Sequence, residues 1–375
     1  MNKHIVVPGV TTVIVTAAIA GALTAASYGQ FKELPLSVSQ PQISAAVTPS
    51  VLSAQSPNSP GPSASPSVGV SAVTSQPAAT PPPTPAPRPN PLAGRELYVD
   101  PRSQSALAEA TLRSTNPRQA EIINKIARQP QAKWLNGPAD TGPALLSYLK
   151  STGSRYPVLV AYYMPFRDCG DTSQQGAPTS NAYRQWINSL GAALGTKSAA
   201  IILEPDALAR LDCLSATRQA ERLADLNYAV QKLATKPNLA VYLDAGHAGW
   251  LSIDMAAERL KSAGIDSATG FSLGVSHSTT AAQNAAYGQA VSRLVGGQHF
   301  IIDTSRSGRG EAGAGQWCNP PGRGLGPVPT IAPGPAGVDA YLWVKRPGES
   351  DGTCNGGPGA GQWWLDYAVA LVSNS

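Results

Sequence analysis

The apolar run AAIIL at 199–203 breaks off into Glu204, Pro205 and Asp206. Burying an ionised carboxylate is costly unless it is paired or its pKa moves. A strand that reads as buried and then ends on acids must either cap the next segment or present a carboxyl with an altered pKa. Asp168, in PFRDCG, and Asp351, in GESDG, also follow β-prone runs. Any one of these acids reads most simply as a helix N-cap or turn residue, and Asp206 before ALAR is a candidate cap. Three of them on a shared mouth suit another chemistry. Two carboxyls flanking a glycosidic bond can cleave it, one protonated to release the leaving oxygen and one ionised. The apolar run before Asp206 would raise its pKa, and Asp168 nearby would raise it further.

Aromatic residues supply the second half of such a site. Trp134 (KWLNG), Trp250 (HAGW) and Trp317 (GQWCN) lie in polar surroundings near strand ends, where a flat apolar face suits a sugar ring. Trp186, Trp343, Trp363 and Trp364 read as core packing. Lys345 and Glu349 can hydrogen-bond hydroxyls. His247, just past Asp244, divides evenly between substrate contact and structural hydrogen bonding, and His299 opens a strand as a packing residue. GRGEAG at 308–313 matches a dinucleotide fingerprint by letter, but no helix follows to hold a pyrophosphate. The four cysteines form no CxxC pair and no histidine sits at zinc-ligand spacing, so neither a metal nor a cofactor is expected.

These residues need elements to hold them. Short β-prone runs at 132–135, 156–163, 199–205, 239–246, 270–276, 299–305 and 340–345 alternate with helical patterns, and LYVD (97–100) comes earlier. Between them, Tyr183, Trp186, Ile187 and Leu190 fall on one helical face, as do Leu223, Leu226, Val230 and Leu233. Near-continuous apolar strands alternating with amphipathic helices indicate an α/β fold with a parallel sheet covered by helices. An open sheet and a closed barrel both satisfy that pattern. Polar clusters close most of the runs (PFRDCG, EPD, DAGHAGW, SHS, DTSR, VKRPGESD), which favours a barrel with its chemistry at one mouth.

The remainder of the 375 residues is uneven. Residues 5–26 are apolar or small behind Lys3, so 1–36 reads as a signal peptide or membrane anchor region. Residues 37–92 are rich in Pro, Ser, Ala and Thr and read as a disordered linker. Residues 93–375 would form a single catalytic domain, secreted or cell-surface, and a monomer is expected. With a net charge of +5 and no basic run interleaved with aromatics, a nucleic-acid partner is not expected. An exported chain with four cysteines favours two disulfides. Three connectivities are open, with Cys169–Cys213 and Cys318–Cys354 preferred because each pair flanks strand-end clusters.

Taken in order, PFRDCG, ILEPDALA, VYLDAGHAGW, HFIIDTSRSG, WCNPPGRGLG and WVKRPGESDG resemble glycoside hydrolase family 6, the inverting cellulases. The resemblance runs from LYVDP at 97 to WWLDYA at 363–368. It implies a distorted, roughly seven-stranded α/β barrel, TIM-like, that cuts β-1,4-glucan with inversion. By position, Asp206 looks like the general acid, and Asp168 like the partner that raises its pKa and relays protons through water. Asp351 looks like the proposed base, with Arg306 paired to it. Tyr162 matches a tyrosine that distorts the sugar ring, and Ser173 a serine that holds water. Trp134, His247, Trp250, Trp317, Lys345 and Glu349 match sugar-binding positions, and the two preferred disulfides match those of the family.

The chain also departs from the pattern. Asn136 stands where the family often has aspartate after Trp-Leu, and Gly274 and His277 stand where asparagines are usual. Asn136 and His277 are thus weak candidates for sugar contact, at altered subsites. Short connections after the fifth and sixth strands leave little chain to roof a tunnel, which points to an open cleft and internal cleavage of a β-glucan. An exo-acting cellobiohydrolase and a surface glucan-binding barrel with little turnover are the alternatives. Retention of Asp168, Asp206 and Asp351 together speaks for an enzyme.

Overall fold

Strand and helix alternate from residue 133 onward in the computed structural model, which describes residues 89–169, 176–313 and 315–375. The strands are β1 (Lys133–Leu135), β2 (Val158–Ala161), β3 (Ala199–Leu203), β4 (Leu239–Asp244), β5 (Gly270–Leu273), β6 (His299–Asp303), β7 (Thr330–Ile331) and β8 (Val338–Leu342). They form one eight-stranded sheet in the order β1-β2-β3-β4-β5-β6-β8-β7. All neighbours pair in parallel except β7, a two-residue strand antiparallel to β8. The seven expected runs are therefore the seven parallel strands. LYVD contributes only a single bridge, Leu97 to Tyr156, because the chain turns at Asp100, whose carbonyl accepts from Ser103 N–H.

Side-chain alternation shows how the sheet curls. Leu159, Ile201, Leu203, Val241, Leu243, Phe271 and Ile302 point to one cluster, shared with the helices. Their neighbours Val158, Val160, Ala200, Ile202, Ala240, Tyr242, Ile301 and Ala340 point into a second, interior cluster. Period-two alternation with both sides apolar is what a curled, helix-covered parallel sheet requires. No ladder joins β1 to β8 among the described residues. The seam is carried instead by Ala132 N–H to Trp343 O (3.0 Å) and Trp134 Nε1–H to Val344 O (2.8 Å). This is a distorted half-barrel.

The outer layer comes from α1 (Gln104–Thr115), α2 (Pro117–Ala127), α3 (Pro143–Ser151), α4 (Ser180–Leu194), α5 (Ala216–Ala234), α6 (Ile253–Ser262), α7 (Ala281–Leu294) and α8 (Leu365–Ser373). Their starts are set by side chains that accept from orphan first-turn N–H groups, such as Thr179 from Ala182 and Ser252 from Met255. Thr280 and Gln283 make a full capping box at α7. Helix α4 buries Tyr183, Trp186, Ile187 and Leu190, the face its spacing predicts. Each such buried side chain contributes roughly 1.5–3 kcal/mol. Trp343 lies one residue beyond β8 rather than within it, and is buried as expected. His299 does more than pack: its Nδ1 lies 2.8 Å from Asp339 Oδ1.

Leu92 is fully buried in the interior cluster and Asn90 Nδ2–H reaches Asp339 O, so the ordered fold takes up the last residues assigned to the linker. The export segment and nearly all of the linker lie outside the described residues. Among those described, no helix is long and apolar enough to cross a membrane.

Candidate active site

Strands leaving a parallel sheet strand their last backbone N–H groups, and buried orphans are costly. Three buried carboxylates resolve this at the C-terminal edge. Glu204, just past β3, accepts from Tyr163 N–H and Met164 N–H beyond β2, each at 3.0 Å. Asp244, closing β4, accepts from Asp206 N–H at 2.9 Å, Gly246 N–H at 3.1 Å and the Ser272 hydroxyl at 2.9 Å. Asp303, closing β6, accepts from Ser276, Ser305, Val344 and Lys345 N–H groups, and so links the exits of β5, β6 and β8. Burial pushes Glu204 up to about 7 and Asp244 up to about 8, and also raises Asp303, against the hydrogen bonds that favour their ionised forms. Glu204 is thus structural, tying the exit of β3 to the exit of β2.

Asp206 is placed by this scaffold. It does not cap a helix: residues 207–210 form turns that lead into a short 3-10 segment, Leu211–Cys213. Glu204 and Asp206 both have positive φ, 51° and 69°, a conformation unfavourable for non-glycine residues and held here by the Asp244 and Glu204 hydrogen bonds. The Asp206 side chain is 33% exposed, with Oδ2 3.9 Å from Arg210 Nε. Desolvation raises its pKa to about 6; Arg210 opposes the rise, while Asp168 and Asp351 add to it. A carboxylic acid that stays protonated into the mildly acidic range is equipped to donate.

Asp168 lies on the loop after β2, half-exposed, with Oδ2 3.4 Å from Arg167 Nε. Two ties hold that loop to the one bearing Asp206. The Cys169–Cys213 disulfide is one. The other is Arg222 on α5, whose guanidinium donates to Pro165 and Phe166 carbonyls on one loop and to Ala207 O on the other. Burial lowers the Arg222 pKa to about 10, which still leaves it charged.

Asp351 is nearly buried and surrounded by donors. Arg306 Nη1–H donates to Oδ2 at 2.7 Å, Asn319 N–H to the same oxygen at 2.8 Å, and Lys345 Nζ lies 3.0 Å from Oδ1. Burial alone would raise its pKa, but Arg306 and then Lys345 overcome that and hold the carboxyl below its ordinary value. Asn319 closes the loop: its Oδ1 accepts from Asp351 N–H, and its Nδ2 donates to Gly352 and Cys354 carbonyls. Cys318–Cys354 staples the same segment.

The remaining candidates divide into cleft wall and support. Tyr162 sits edge-on to Trp134 (5.1 Å) under the Arg167 guanidinium (4.1 Å). Its phenol is pushed up, first by burial and then by the Asp206 charge. Trp250 and Trp317 are exposed, Trp317 at 56%. His247 packs against Trp250 and stacks on His277. Lys345 and Glu349 are buried and paired, Lys345 with Glu349 and Asp351, Glu349 also with Arg346. Asn136 is exposed, its N–H donating to Asp140. Gly274, at φ 75°, turns the chain out of β5 with Asn284 so close that a Cβ would meet it at 2.6 Å. Ser173 lies outside the described residues.

Asp244, Asp303, Arg222 and Asn319 escape sequence reading as site residues. A strand-terminal acid was the available signal for the first two. For Arg222 and Asn319 nothing local marks the role, since their partners lie some 15 to 57 residues away.

The family model "Glycosyl hydrolases family 6" matches residues 92–375. The chain is 44% identical over 285 residues to Endoglucanase A of Cellulomonas fimi, an alignment covering 74% of this chain and 61% of that protein. It therefore spans less than two thirds of that relative's length. It is 30% identical over 360 residues to a probable 1,4-β-D-glucan cellobiohydrolase C of Aspergillus niger, covering 76% of this chain and 78% of that one. In structure it is similar to an endoglucanase of Mycobacterium tuberculosis solved with a methyl-cellobiosyl-thio-cellobioside, with TM-score 0.72, 44% identity, and coverage of 76% and 99%.

Proposed function

Because the chain belongs to the glycosyl hydrolases of family 6, we propose that it hydrolyses internal β-1,4-glucosidic bonds of cellulose or a related β-glucan with inversion. The observation that carries this reading is the opposed setting of two carboxyls at one sheet edge. Asp206 is held towards its neutral form, and Asp351 is clamped ionised by Arg306 and Lys345. Environments that push two acids apart identify the proton donor and the base.

In the proposed reaction Asp206 protonates the glycosidic oxygen as the bond to the anomeric carbon breaks. Water attacks that carbon from the opposite face and loses its proton towards Asp351, directly or through water beside Asp168. Asp168 also supports the Asp206 pKa. Tyr162 presses on the sugar ring, and Ser173 holds water. Arg306 keeps Asp351 ionised. Trp134, Trp250 and Trp317 offer faces to sugar rings, with His247, Lys345, Glu349 and, at altered subsites, Asn136 and His277 reaching hydroxyls.

Internal cleavage is supported by the alignments and not by the expected short connection after the sixth strand, since the chain from Asp303 to Val338 is long and, among the described residues, holds only the two-residue β7. For a nearly equal share of this chain, the cellobiohydrolase alignment runs 360 positions against 285 for the endoglucanase. The surplus is chain within the aligned region that the cellobiohydrolase has and this one lacks. Two disulfides fit an oxidising compartment. We place the enzyme outside the cell, exported by 1–36 and tethered through the linker, acting as a monomer.

Asp206→Asn tests the assignment. Loss of the proton donor should lower turnover of carboxymethyl-cellulose by about 10²–10⁴-fold, with cello-oligosaccharide binding still measurable by calorimetry. Undiminished hydrolysis would sink it.

A further inference from the structure

An acid that gives its proton away takes up a full negative charge, and most of what faces Asp206 opposes that. The carboxylates of Asp168 and Asp351 repel a charge there, Asp244 accepts the Asp206 N–H, and the Tyr162 phenol lies within its field. Among the described residues, the one ion pair that reaches Asp206 comes from Arg210, with Nε 3.9 Å from Oδ2. A charge-assisted hydrogen bond needs about 2.8 Å, so the pair stands open by about one ångström.

The opening has a counterpart on the arginine. Arg210 Nε is buried and has no hydrogen-bond partner among the described residues, although a buried donor is costly to leave unmade. The guanidinium is nevertheless steered to this spot. Arg210 N–H donates to Asp206 O at 2.9 Å, so 206–210 make one helix-like turn that sets the two side chains on the same side. Nη1 lies 3.9 Å from Cys169 Sγ, and the guanidinium carbon 6.0 Å from the Trp250 ring centre. The backbone beneath is pinned. Arg222 donates to Ala207 O, and Arg259 on α6 donates to Leu208 O at 2.8 Å and Ala209 O at 3.3 Å. Three residues on, Cys213 is bridged to Cys169. The freedom that remains belongs to the Arg210 side chain, one-third exposed. A purely structural arginine would have its Nε satisfied at rest.

We propose that Arg210 is a positioning residue for the proton donor, its Nε–H closing on the Asp206 carboxylate as the proton leaves. This rests on the glucanase reading. As the Asp206 O–H bond breaks, the proton joins the glycosidic oxygen, the bond to the anomeric carbon breaks, and the charge left on Asp206 is met by the Arg210 hydrogen bond. The proton lost by the attacking water restores the acid by way of solvent, and the pair opens again. Arg210 thereby favours the state in which the leaving sugar departs, beyond any effect on the resting acid.

The test compares two substrates at about pH 5, on the acid side of the Asp206 titration. Cellotetraose has a leaving sugar that needs the proton. β-Cellobiosyl fluoride has a leaving group that departs with little proton assistance. For Arg210→Gln, kcat on cellotetraose should fall by about tenfold or more, with KM little changed, and the loss on the fluoride should be several-fold smaller. Equal losses on the two substrates overturn the role, because a displaced loop slows both. No loss on cellotetraose overturns it as well. A wild-type chain that turns over neither substrate overturns the glucanase reading, and the role with it.

Discussion

At the scale of single residues, the proposed activity turns on the Asp206 proton. With its pKa near 6 and Asp351 held below the ordinary carboxylate value, kcat/KM should fall as pH rises through about 6. The acid-side decline should lie below about 3.9, the ordinary aspartate value. Arg210 opposes the raised pKa, so Arg210→Gln should move the alkaline limb to higher pH; a limb that stays put or moves down contradicts this role. Asp244 makes the opposite kind of prediction, in stability. Its folded pKa of about 8 exceeds the unfolded value of about 3.9, so between those values the native state binds more protons than the unfolded one. Its contribution is full below about 3.9 and is lost as pH rises through about 8. Asp244→Asn should therefore flatten the loss of unfolding free energy between pH 5 and 8, read by urea denaturation. An unchanged slope would refute it. The three acids that lie on strand-end loops were legible in the sequence because a charge after an apolar run needs a reason. Their supporting hydrogen bonds were not, because Asp244 to Asp206 and Asn319 to Asp351 span 38 and 32 residues.

At the scale of elements, the acid-bearing loops are positioned from behind. Arg222 on α5 ties the carbonyls of the β2 and β3 loops together, and Cys169–Cys213 ties them again at their tips. The cysteines are 44 residues apart in sequence, so their cross-link should be worth about 4 kcal/mol on a chain-entropy account. The Cys169→Ser/Cys213→Ser double variant should lose about 2–4 kcal/mol of unfolding free energy. Arg222→Met should lower kcat on soluble glucan by about tenfold or more, since small misplacement of catalytic groups is costly. An unaltered kcat would show that the disulfide alone sets the loops. The strands were readable because both of their faces are buried, leaving continuous apolar runs. Strand β7 was not: Thr330–Ile331 is too short to carry a period, and it exists only because β8 offers it an edge.

At the scale of the molecule, polar strand ends lie along one edge of a half-barrel, and the proposed internal cleavage needs the substrate path along that edge to be open. Viscosity of a soluble β-1,4-glucan should therefore drop early, well before much reducing sugar appears; steady cellobiose release at nearly constant viscosity would point to exo action. The barrel was legible from strand-end polarity, but its incomplete seam was not, because that depends on two hydrogen bonds between residues 132–134 and 343–344. In the proposed reaction Asp206 is the donor on one side of the bond and water, relieved of its proton towards Asp351, is the nucleophile on the other. The most direct measurement is proton NMR of the anomeric signals in fresh cleavage products of a soluble β-1,4-glucan. New reducing ends should appear first as the α anomer and only later mutarotate; products that appear first as the β anomer would contradict the account.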